Sequence, residues 1–147
     1  MATRDSLALT EEQRALRDTV RGVLADQLPA GVLRGMLRTG PGYGRGLHAR
    51  LARELGLAGL TIPGEFGGLG LGPAEACVVH TELGHALYPG PFLASGLAAG
   101  ALLAAGDRVV AGRWLPVLAD GSVTGTFAAA DKDGRWPSGP GRVPMAT

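Results

Sequence analysis

Apolar side chains recur at helical spacing along most of the chain, and capping or breaking residues separate the runs. The first run starts after Thr10, which together with Gln13 forms the sequence pattern of a capping box. It continues as an apolar stripe over residues 16–28. Pro29 ends this helix, because proline has no backbone N–H to continue it. The glycine-rich stretch 30–46 predicts only short or irregular helix.

Four more helices are predicted from the same apolar spacing and from the Gly and Pro residues between the runs. They cover residues 47–55, 73–87, 92–105 and 107–119. The helix over 92–105 is apolar on nearly all faces, which predicts a central, buried position. Pro116 lies inside the last helix and predicts a kink or an early end. Together the five helices predict a mainly α-helical, up-down bundle over residues 10–120.

A glycine-rich loop, residues 56–72, separates the second and third predicted helices. Leu57, Leu60 and Ile62 are apolar positions of this loop and are predicted to be buried. Glycine-rich loops ahead of a helix can hold phosphate groups, but this one lacks a predicted strand before it and the Lys-Ser/Thr ending of a P-loop. Close packing of backbone against backbone is therefore the favoured interpretation, with Pro73 starting the next helix.

The pattern changes after the last helix. Residues 122–128, with the sequence SVTGTFA, combine β-branched and aromatic side chains and predict one β-strand. The last residues, 131–147, are rich in proline and glycine and show no apolar period. That composition predicts a disordered C-terminal tail, because such a segment cannot bury enough apolar surface to offset its loss of conformational entropy.

Composition and charge exclude some classes of binding partner for this chain. The 147 residues carry a formal net charge of +1 and few aromatic side chains, which argues against nucleic acid and against a polybasic membrane-binding surface. The longest apolar run, 92–105, is too short to cross a bilayer, and residues 1–6 show no signal peptide. Cys77 is the one cysteine; it is predicted to be a small core residue, and it fits a cytoplasmic location.

No arrangement of side chains in the sequence predicts catalysis or metal binding by itself. His48, His80 and His85 fall on predicted helices, and their spacing matches neither a catalytic triad nor a pair of metal ligands. Glu82 and His85 stand three residues apart, which predicts at most a weak surface pair. We therefore assign no catalytic residue and no metal ligand on these grounds.

Several short segments, taken in their order along the chain, resemble one protein family. They are LTEEQ (9–13), LTIPGEFGG (60–68), ELG (82–84), WLP (114–116), LADG (118–121) and GTF (125–127). Each is weak alone, but their joint order and spacing resemble the N-terminal region of the acyl-CoA dehydrogenases. The resemblance implies that residues 7–121 form the family's helical N-terminal domain. It also implies that residues 122–130 begin its middle β-domain, and the likeness ends before the tail, 131–147.

The resemblance implies a flavoenzyme. Members of the family use FAD to oxidise acyl-CoA thioesters to 2-enoyl-CoA: a glutamate removes the α-proton, and flavin N5 receives the β-hydride. In most members that glutamate lies in a C-terminal helical domain, and no glutamate of this chain matches its position, so no catalytic residue is assigned. The family's flavin contacts correspond here to Phe127, Ala129 and Ala130. Ala130 stands where the family has a threonine, and Asp131 and Lys132 replace its Glu-Pro.

The resemblance also places Tyr88 and Leu93 beside the acyl chain, with plain core packing as the alternative for both. Because the sequence leaves the family pattern at residue 131, we expect a truncated acyl-CoA dehydrogenase-like protein that alone binds no FAD tightly and is inactive. Two alternatives stay open: a non-catalytic helical interaction module that pairs with a separately encoded partner, and a non-functional remnant. Self-association or a complementing acyl-CoA dehydrogenase subunit would cover the apolar surface that such a chain exposes.

Overall fold

The part of the chain that the structure describes contains six α-helices. The computed structural model of the protein describes residues 8–38 and 43–128. Its elements are α1 (Glu11–Gln27), α2 (Ala30–Arg38), α3 (Arg45–Ala49), a π-helix (Arg50–Glu54) that continues α3, two 3-10 turns (Leu57–Gly59 and Gly64–Phe66), α4 (Pro73–His85), α5 (Phe92–Ala105) and α6 (Arg108–Ala119). The mainly helical prediction is confirmed for these residues. The tail predicted to be disordered, 131–147, lies outside them.

The five predicted helices begin and end close to the predicted positions, because local capping residues set their ends, whereas α2 forms where only short or irregular helix was predicted. Thr10 Oγ1 accepts a hydrogen bond from the Gln13 backbone N–H (3.2 Å), and the Thr10 N–H donates to Gln13 Oε1 (3.1 Å), which completes the capping box of α1. The Asp107 carboxylate accepts from two backbone N–H groups in the first turn of α6. α6 continues through Pro116, so the predicted early end is wrong; the helical bond that proline removes is the one to the carbonyl of Gly112, an exposed residue.

Two clusters of buried side chains hold the helices together. The first lies between α1, the π-helix and α4, and includes Val20, Leu24, Leu51, Val79 and Leu83. The second is smaller and lies between α5, α6 and the loop before α4. Its buried members are Ile62, Ala99, Ala111, Leu115, Leu118 and Ala119. The bundle therefore consists of an α1–α4 half and an α5–α6 half, each with its own buried cluster.

Glycines let the loop between the π-helix and α4 pack backbone against backbone. A Cβ atom at Gly68 would collide with the backbone carbonyl of Ile62. The Leu69 N–H donates to the Gly59 carbonyl at 2.9 Å, and the Gly70 N–H donates to the Ile62 carbonyl at 2.8 Å. The packing interpretation of this loop is confirmed, and these N–H groups are already used within the loop rather than directed at a phosphate.

The predicted strand over residues 122–128 is wrong: the structure assigns no strand to this segment. The Val123 N–H donates to the Val117 carbonyl at 3.2 Å and so closes the end of α6. Further on, the Gly125 N–H donates to Ser95 Oγ of α5 at 3.1 Å. A strand needs a neighbouring strand for its ladder of hydrogen bonds, and the described residues contain none, so these backbone donors bond to α5 and α6 instead.

α5 is less buried than its apolar sequence predicted. Of its 14 residues, Phe92, Ser95 and Ala99 are buried, whereas Leu93 and Leu97 are 59% and 53% exposed. The prediction of a central helix is therefore wrong. Helix hydropathy predicts burial only if neighbouring elements cover every face, and among the described residues they cover one face of α5 and leave its other faces open.

Two predictions for α4 are wrong at single residues. Cys77, predicted to be a core residue, is exposed, because the buried face of α4 runs instead through Val79 and Leu83. Leu87, predicted to lie within the helix, follows its end; it adopts a left-handed φ of 52°, and its side chain is 70% exposed. α4 therefore ends at a left-handed turn that reverses the chain toward α5.

Candidate functional site

Two apolar grooves flank α5, which forms a wall of both. The α4–α5 groove, about 660 Å³, lies between α4, α5 and the loop after the π-helix. The α5–α6 groove, about 750 Å³, lies between α5, α6 and residues 123–127. The first is lined by side chains that include Leu57, Leu60, Thr61, Ala76, His80, Leu93 and Leu97. The second is lined by side chains that include Ala98, Leu102, Trp114, Leu118, Val123 and Phe127.

The structure separates the residues that the sequence assigned to the acyl chain from those assigned to the flavin. Leu93 lines the α4–α5 groove, and Phe127, which is 49% exposed, lines the α5–α6 groove. The two side chains therefore border different grooves of α5. Ala129 and Ala130, the other two flavin-edge residues, lie outside the described residues. All of these assignments stay predictions.

Tyr88 lies in the core near the start of α5 and is absent from the lining of both grooves. Its hydroxyl and His48 Nδ1 are 3.1 Å apart and share a hydrogen bond. The Phe92 ring packs on the His48 ring, with centroids 4.6 Å apart. Burial raises the pKa of the Tyr88 hydroxyl and lowers the pKa of the His48 imidazole, which favours the neutral form of both. The pair ties the turn between α4 and α5 to α3, so Tyr88 packs in the core, and its predicted place beside the acyl chain stays a prediction.

The α4–α5 groove contains few polar side chains: Thr61, Cys77 and His80. His80 Nδ1 lies 2.8 Å from the backbone carbonyl oxygen of Ala76. His80 Nε2 is buried and has no hydrogen-bond partner among the described residues. Sequence reasoning gave His80 no role, because helical spacing does not show which face of α4 will border a groove.

The buried carboxylate of Glu82 belongs to an ion pair between α1 and α4. Glu82 is 4% exposed; its Oε2 accepts from Arg21 Nε at 2.8 Å, and its Oε1 accepts from the terminal NH2 group of Arg21 at 2.9 Å. The Arg21 guanidinium lowers the pKa of the Glu82 carboxyl. The predicted pair with His85 is the longer contact, at 3.9 Å. Sequence spacing found this weaker pair and missed Arg21, which is distant in sequence.

The α5–α6 groove has aromatic side chains in its lining and no arginine or lysine. Trp114 and Phe127 offer flat apolar surface against which a ring system can pack. The pyrophosphate of FAD needs arginine, lysine or a group of free backbone N–H donors, and no arginine or lysine lines this groove. The side chains of the groove therefore supply no cation for the pyrophosphate, and the contact of Phe127 with the flavin stays a prediction.

The described residues contain neither a metal-ligand cluster nor a membrane-spanning helix. In residues 8–38 and 43–128, no group of three or more His, Cys, Asp or Glu side chains could hold a metal ion. No helix in these two ranges combines the length and the hydropathy needed to cross a membrane.

Comparison with protein families decides the identity of this helical domain. The family model described as "Acyl-CoA dehydrogenase, N-terminal domain" matches residues 10–122. The chain belongs to the acyl-CoA dehydrogenase family. The match runs from the N-cap of α1 to the turn after α6, so both halves of the bundle, including the glycine-rich loop before α4, belong to this acyl-CoA dehydrogenase domain.

Curated relatives agree with the family and are much longer. Acyl-CoA dehydrogenase IpdE2 of Mycobacterium tuberculosis is 39% identical over 117 residues, which are 80% of this chain and 36% of the relative. IpdE2 of Mycolicibacterium smegmatis is 38% identical over 118 residues, which are 80% of this chain and 37% of the relative. The chain thus spans little more than a third of the length of these two proteins.

Solved structures share the helical fold. A variant of the steroid ACAD Tcur3481-Tcur3483 matches 83% of this chain and 33% of its own, with a TM-score of 0.75 and 30% identity. The ChsE4-ChsE5 complex of Mycobacterium tuberculosis matches 86% of this chain and 32% of its own, with a TM-score of 0.69 and 25% identity. Both neighbours are named as pairs of proteins, and the second is described as a complex.

Proposed function

We propose that the chain supplies the helical N-terminal domain of a FAD-dependent acyl-CoA dehydrogenase, which oxidises an acyl-CoA thioester to the 2-enoyl-CoA. The observation that carries the proposal is the family match over residues 10–122, in a fold whose α4–α5 groove of about 660 Å³ is lined mostly by apolar side chains. Ligand pockets of this size and character accept molecules with a large apolar part. Leu93 borders the acyl group in this groove, and Tyr88 supports the helix that carries Leu93.

The chain binds and orients the acyl group in this proposal, and it does not supply the base. Neither groove has an aspartate or glutamate among its lining residues, and Glu82 is already paired with Arg21. FAD accepts the hydride when it is bound. Phe127, Ala129 and Ala130 border the flavin ring. The base and the pyrophosphate-binding residues belong to other parts of the enzyme, in the same polypeptide or in a second subunit.

The partner surface in this proposal is the rim of the α5–α6 groove. Trp114, Val123 and Phe127 are 43%, 38% and 49% exposed there, and contiguous apolar surface of this kind marks an interface. A middle β-domain and a C-terminal helical domain of the acyl-CoA dehydrogenase type would cover it. The names of the two structural neighbours favour a heteromeric assembly. We place this assembly in the cytoplasm, where an exposed thiol such as Cys77 stays reduced.

The proposal is tested by reconstitution. The chain is co-expressed with the part of Mycobacterium tuberculosis IpdE2 that follows the region of similarity, and the product is purified. We expect the two polypeptides to copurify with stoichiometric FAD, seen by its absorbance, whereas the chain alone retains none. Saturated acyl-CoA thioesters, including a steroid acyl-CoA because one structural neighbour is named a steroid ACAD, are then added without oxygen, and loss of the flavin absorbance reports the reaction.

A matched pair of variants locates the acyl group. Leu97→Asp places a charge on the wall of the α4–α5 groove and should weaken flavin reduction by acyl-CoA while FAD stays bound, because the acyl group would desolvate the carboxylate. Val109→Asp introduces the same charge on α6 at a position that is 83% exposed and should leave reduction unchanged. A complex that holds FAD but is reduced by no acyl-CoA would instead favour the non-catalytic interaction module.

A further inference from the structure

We propose that His80 makes the α4–α5 groove selective for acyl groups that carry a hydroxyl, which donates its hydrogen to His80 Nε2. This inference rests on the proposed acyl-CoA function and narrows its substrate class to hydroxylated acyl thioesters. It starts from one side chain whose hydrogen bonding is incomplete in an otherwise apolar groove.

The hydrogen-bond role of His80 Nε2 follows from the contact of the other ring nitrogen. Nδ1 lies 2.8 Å from the Ala76 carbonyl oxygen. A carbonyl oxygen only accepts, so Nδ1 must carry a hydrogen and donate it. In the neutral ring Nε2 then has no hydrogen and acts as an acceptor. A ligand that satisfies Nε2 must therefore bring a donor.

His80 Nε2 is unusual within this structure. Among the described residues it is the one buried side-chain nitrogen or oxygen without a hydrogen-bond partner. Buried polar atoms are nearly always paired in native proteins, and an unpaired one destabilises the fold. Because His80 lines the α4–α5 groove, the missing donor is best explained by a molecule that occupies this groove.

The rest of the groove limits what that molecule can be. No aspartate, glutamate, lysine or arginine lines it, so a charged donor such as an ammonium group would lose its hydration without gaining a counter-ion. A hydroxyl group on an apolar body avoids that loss. Nε2 is shielded from bulk water, so a ligand hydroxyl reaches it only when the side chains around it in the groove change rotamer.

Two small ring compounds test the inference on the chain itself. Cyclohexanol and cyclohexyl methyl ether both carry a ring and an oxygen, but only the alcohol has an O–H to donate. Each is titrated into ¹⁵N-labelled protein. We expect cyclohexanol to shift the ¹⁵N resonance of His80 Nε2 and to bind about fivefold more tightly than the ether, the effect of one neutral hydrogen bond.

Two variants complete the test. His80→Phe removes the unpaired acceptor, and the Ala76 carbonyl keeps its helical bond from the backbone N–H of residue 80; the preference for the alcohol should disappear without loss of thermal stability. Cys77→Ala changes an exposed side chain of the same groove and should keep the preference. The Nε2 resonance of the unmodified protein gives an answer even if a variant folds poorly.

The possible results separate the two proposals. Equal binding of both compounds, or a tighter fit of the ether with Nε2 unshifted, overturns the hydroxyl selectivity. If the reconstituted complex is nevertheless reduced by acyl-CoA, the proposed function stands without it. If neither compound perturbs the methyl resonances of Leu93 and Leu97, the groove binds no such ligand, and both His80 selectivity and the acyl-binding role of the groove are wrong.

Discussion

The α1–α4 half and the α5–α6 half of the bundle use their apolar residues in opposite ways. α4 has a mixed sequence, yet Val78, Val79, Glu82 and Leu83 are buried. α5 has no charged residue, yet only three of its 14 residues are buried. Burial therefore follows the arrangement of neighbouring elements and not the hydropathy of the helix. The first half covers its own apolar face, and the second leaves apolar surface for a ligand or another domain.

Polar contacts between helices show the same contrast. In the first half, Arg21 of α1 pairs with the buried Glu82 of α4, and the Gln13 side chain of α1 donates to Glu75 Oε1 of α4 at 2.8 Å. α5 has no side chain that could form an ion pair with α6. Directional contacts thus fix α1 against α4, whereas α5 and α6 are held together mainly by packing in the second cluster.

The largest expected effect comes from truncating Leu51 in the first half, and truncation of Leu97 in the second half is the comparison. Leu51 is fully buried in the first cluster, so Leu51→Ala should lower the free energy of unfolding by about 2–5 kcal/mol through lost transfer energy and a residual cavity. Leu97 on α5 is 53% exposed, so Leu97→Ala should change the free energy of unfolding by less than about 0.5 kcal/mol. Urea unfolding at several protein concentrations measures both.

If Leu51→Ala and Leu97→Ala lowered the free energy of unfolding equally, the contrast between the two halves would be wrong. If the loss at Leu97 grows with protein concentration, a second copy of the chain covers α5, as the prediction of self-association from the sequence requires.

An intermediate effect is expected from the ion pair between α1 and α4. Arg21→Met keeps most of the aliphatic side chain and leaves the Glu82 carboxylate buried without its donor, which should cost about 1–3 kcal/mol at neutral pH. Arg50→Met breaks the solvent-exposed pair of Arg50 with Glu54, 3.1 Å apart, and should cost less than about 0.5 kcal/mol. If both variants lost a similar amount of unfolding free energy, burial of Glu82 would add nothing to the strength of its ion pair.

The pH dependence gives a second measure of the same pair. The Arg21 guanidinium lowers the folded-state pKa of Glu82 below its ordinary value of 4.5. The stabilisation is therefore fully present above the unfolded-state pKa and is lost as the pH falls through the folded-state pKa. The stability difference between the unmodified chain and Arg21→Met should be largest near neutral pH and should shrink in acid. A difference that does not change with pH would argue against this charge interaction.

The smallest expected effect concerns the turn where the two halves meet. Leu87 has a left-handed φ of 52°, while the Leu87 N–H donates to the Gly84 carbonyl and the Tyr88 N–H to the Leu83 carbonyl. This is the Schellman pattern, in which glycine is preferred at the position of Leu87. Leu87→Gly should raise the free energy of unfolding by about 0.5–1 kcal/mol. Leu87→Ala keeps the Cβ atom and its strain and should give no gain; an equal gain in both variants would locate the effect in the exposed side chain.

The helix bounds were predictable from the sequence because local groups set them. Thr10 and Gln13 satisfy each other's backbone groups at the start of α1. Gly56 and Gly106 take left-handed conformations after the π-helix and α5, where other residues would be strained. The strand at 122–128 was predicted wrongly because a strand, unlike a helix end, does not depend on local groups alone. Its side chains favour a strand, but a strand also needs a partner that lies elsewhere in the chain or in another chain.

The candidate site was predictable only in part. The position of Leu93 at the start of α5 could be read from the family pattern, and the structure places it in a groove. His80 was missed, since its incomplete hydrogen bonding depends on which elements lie beside α4. The buried state of Glu82 was missed for a similar reason, because its partner Arg21 lies 61 residues away in the sequence.

The sequence by itself determined where five of the six α-helices lie, that the glycine-rich loop is tightly packed, and which family the chain resembles. Caps, glycines and apolar spacing act over a few residues, so these features need no knowledge of distant contacts. The tertiary structure decided that neighbouring elements cover only one face of α5 and that Leu93 and Phe127 line different grooves. It also decided that His80 Nε2 is buried without a donor. These properties depend on which elements meet, because the residues that bury a side chain and supply its hydrogen-bond partners can be far from it in the sequence.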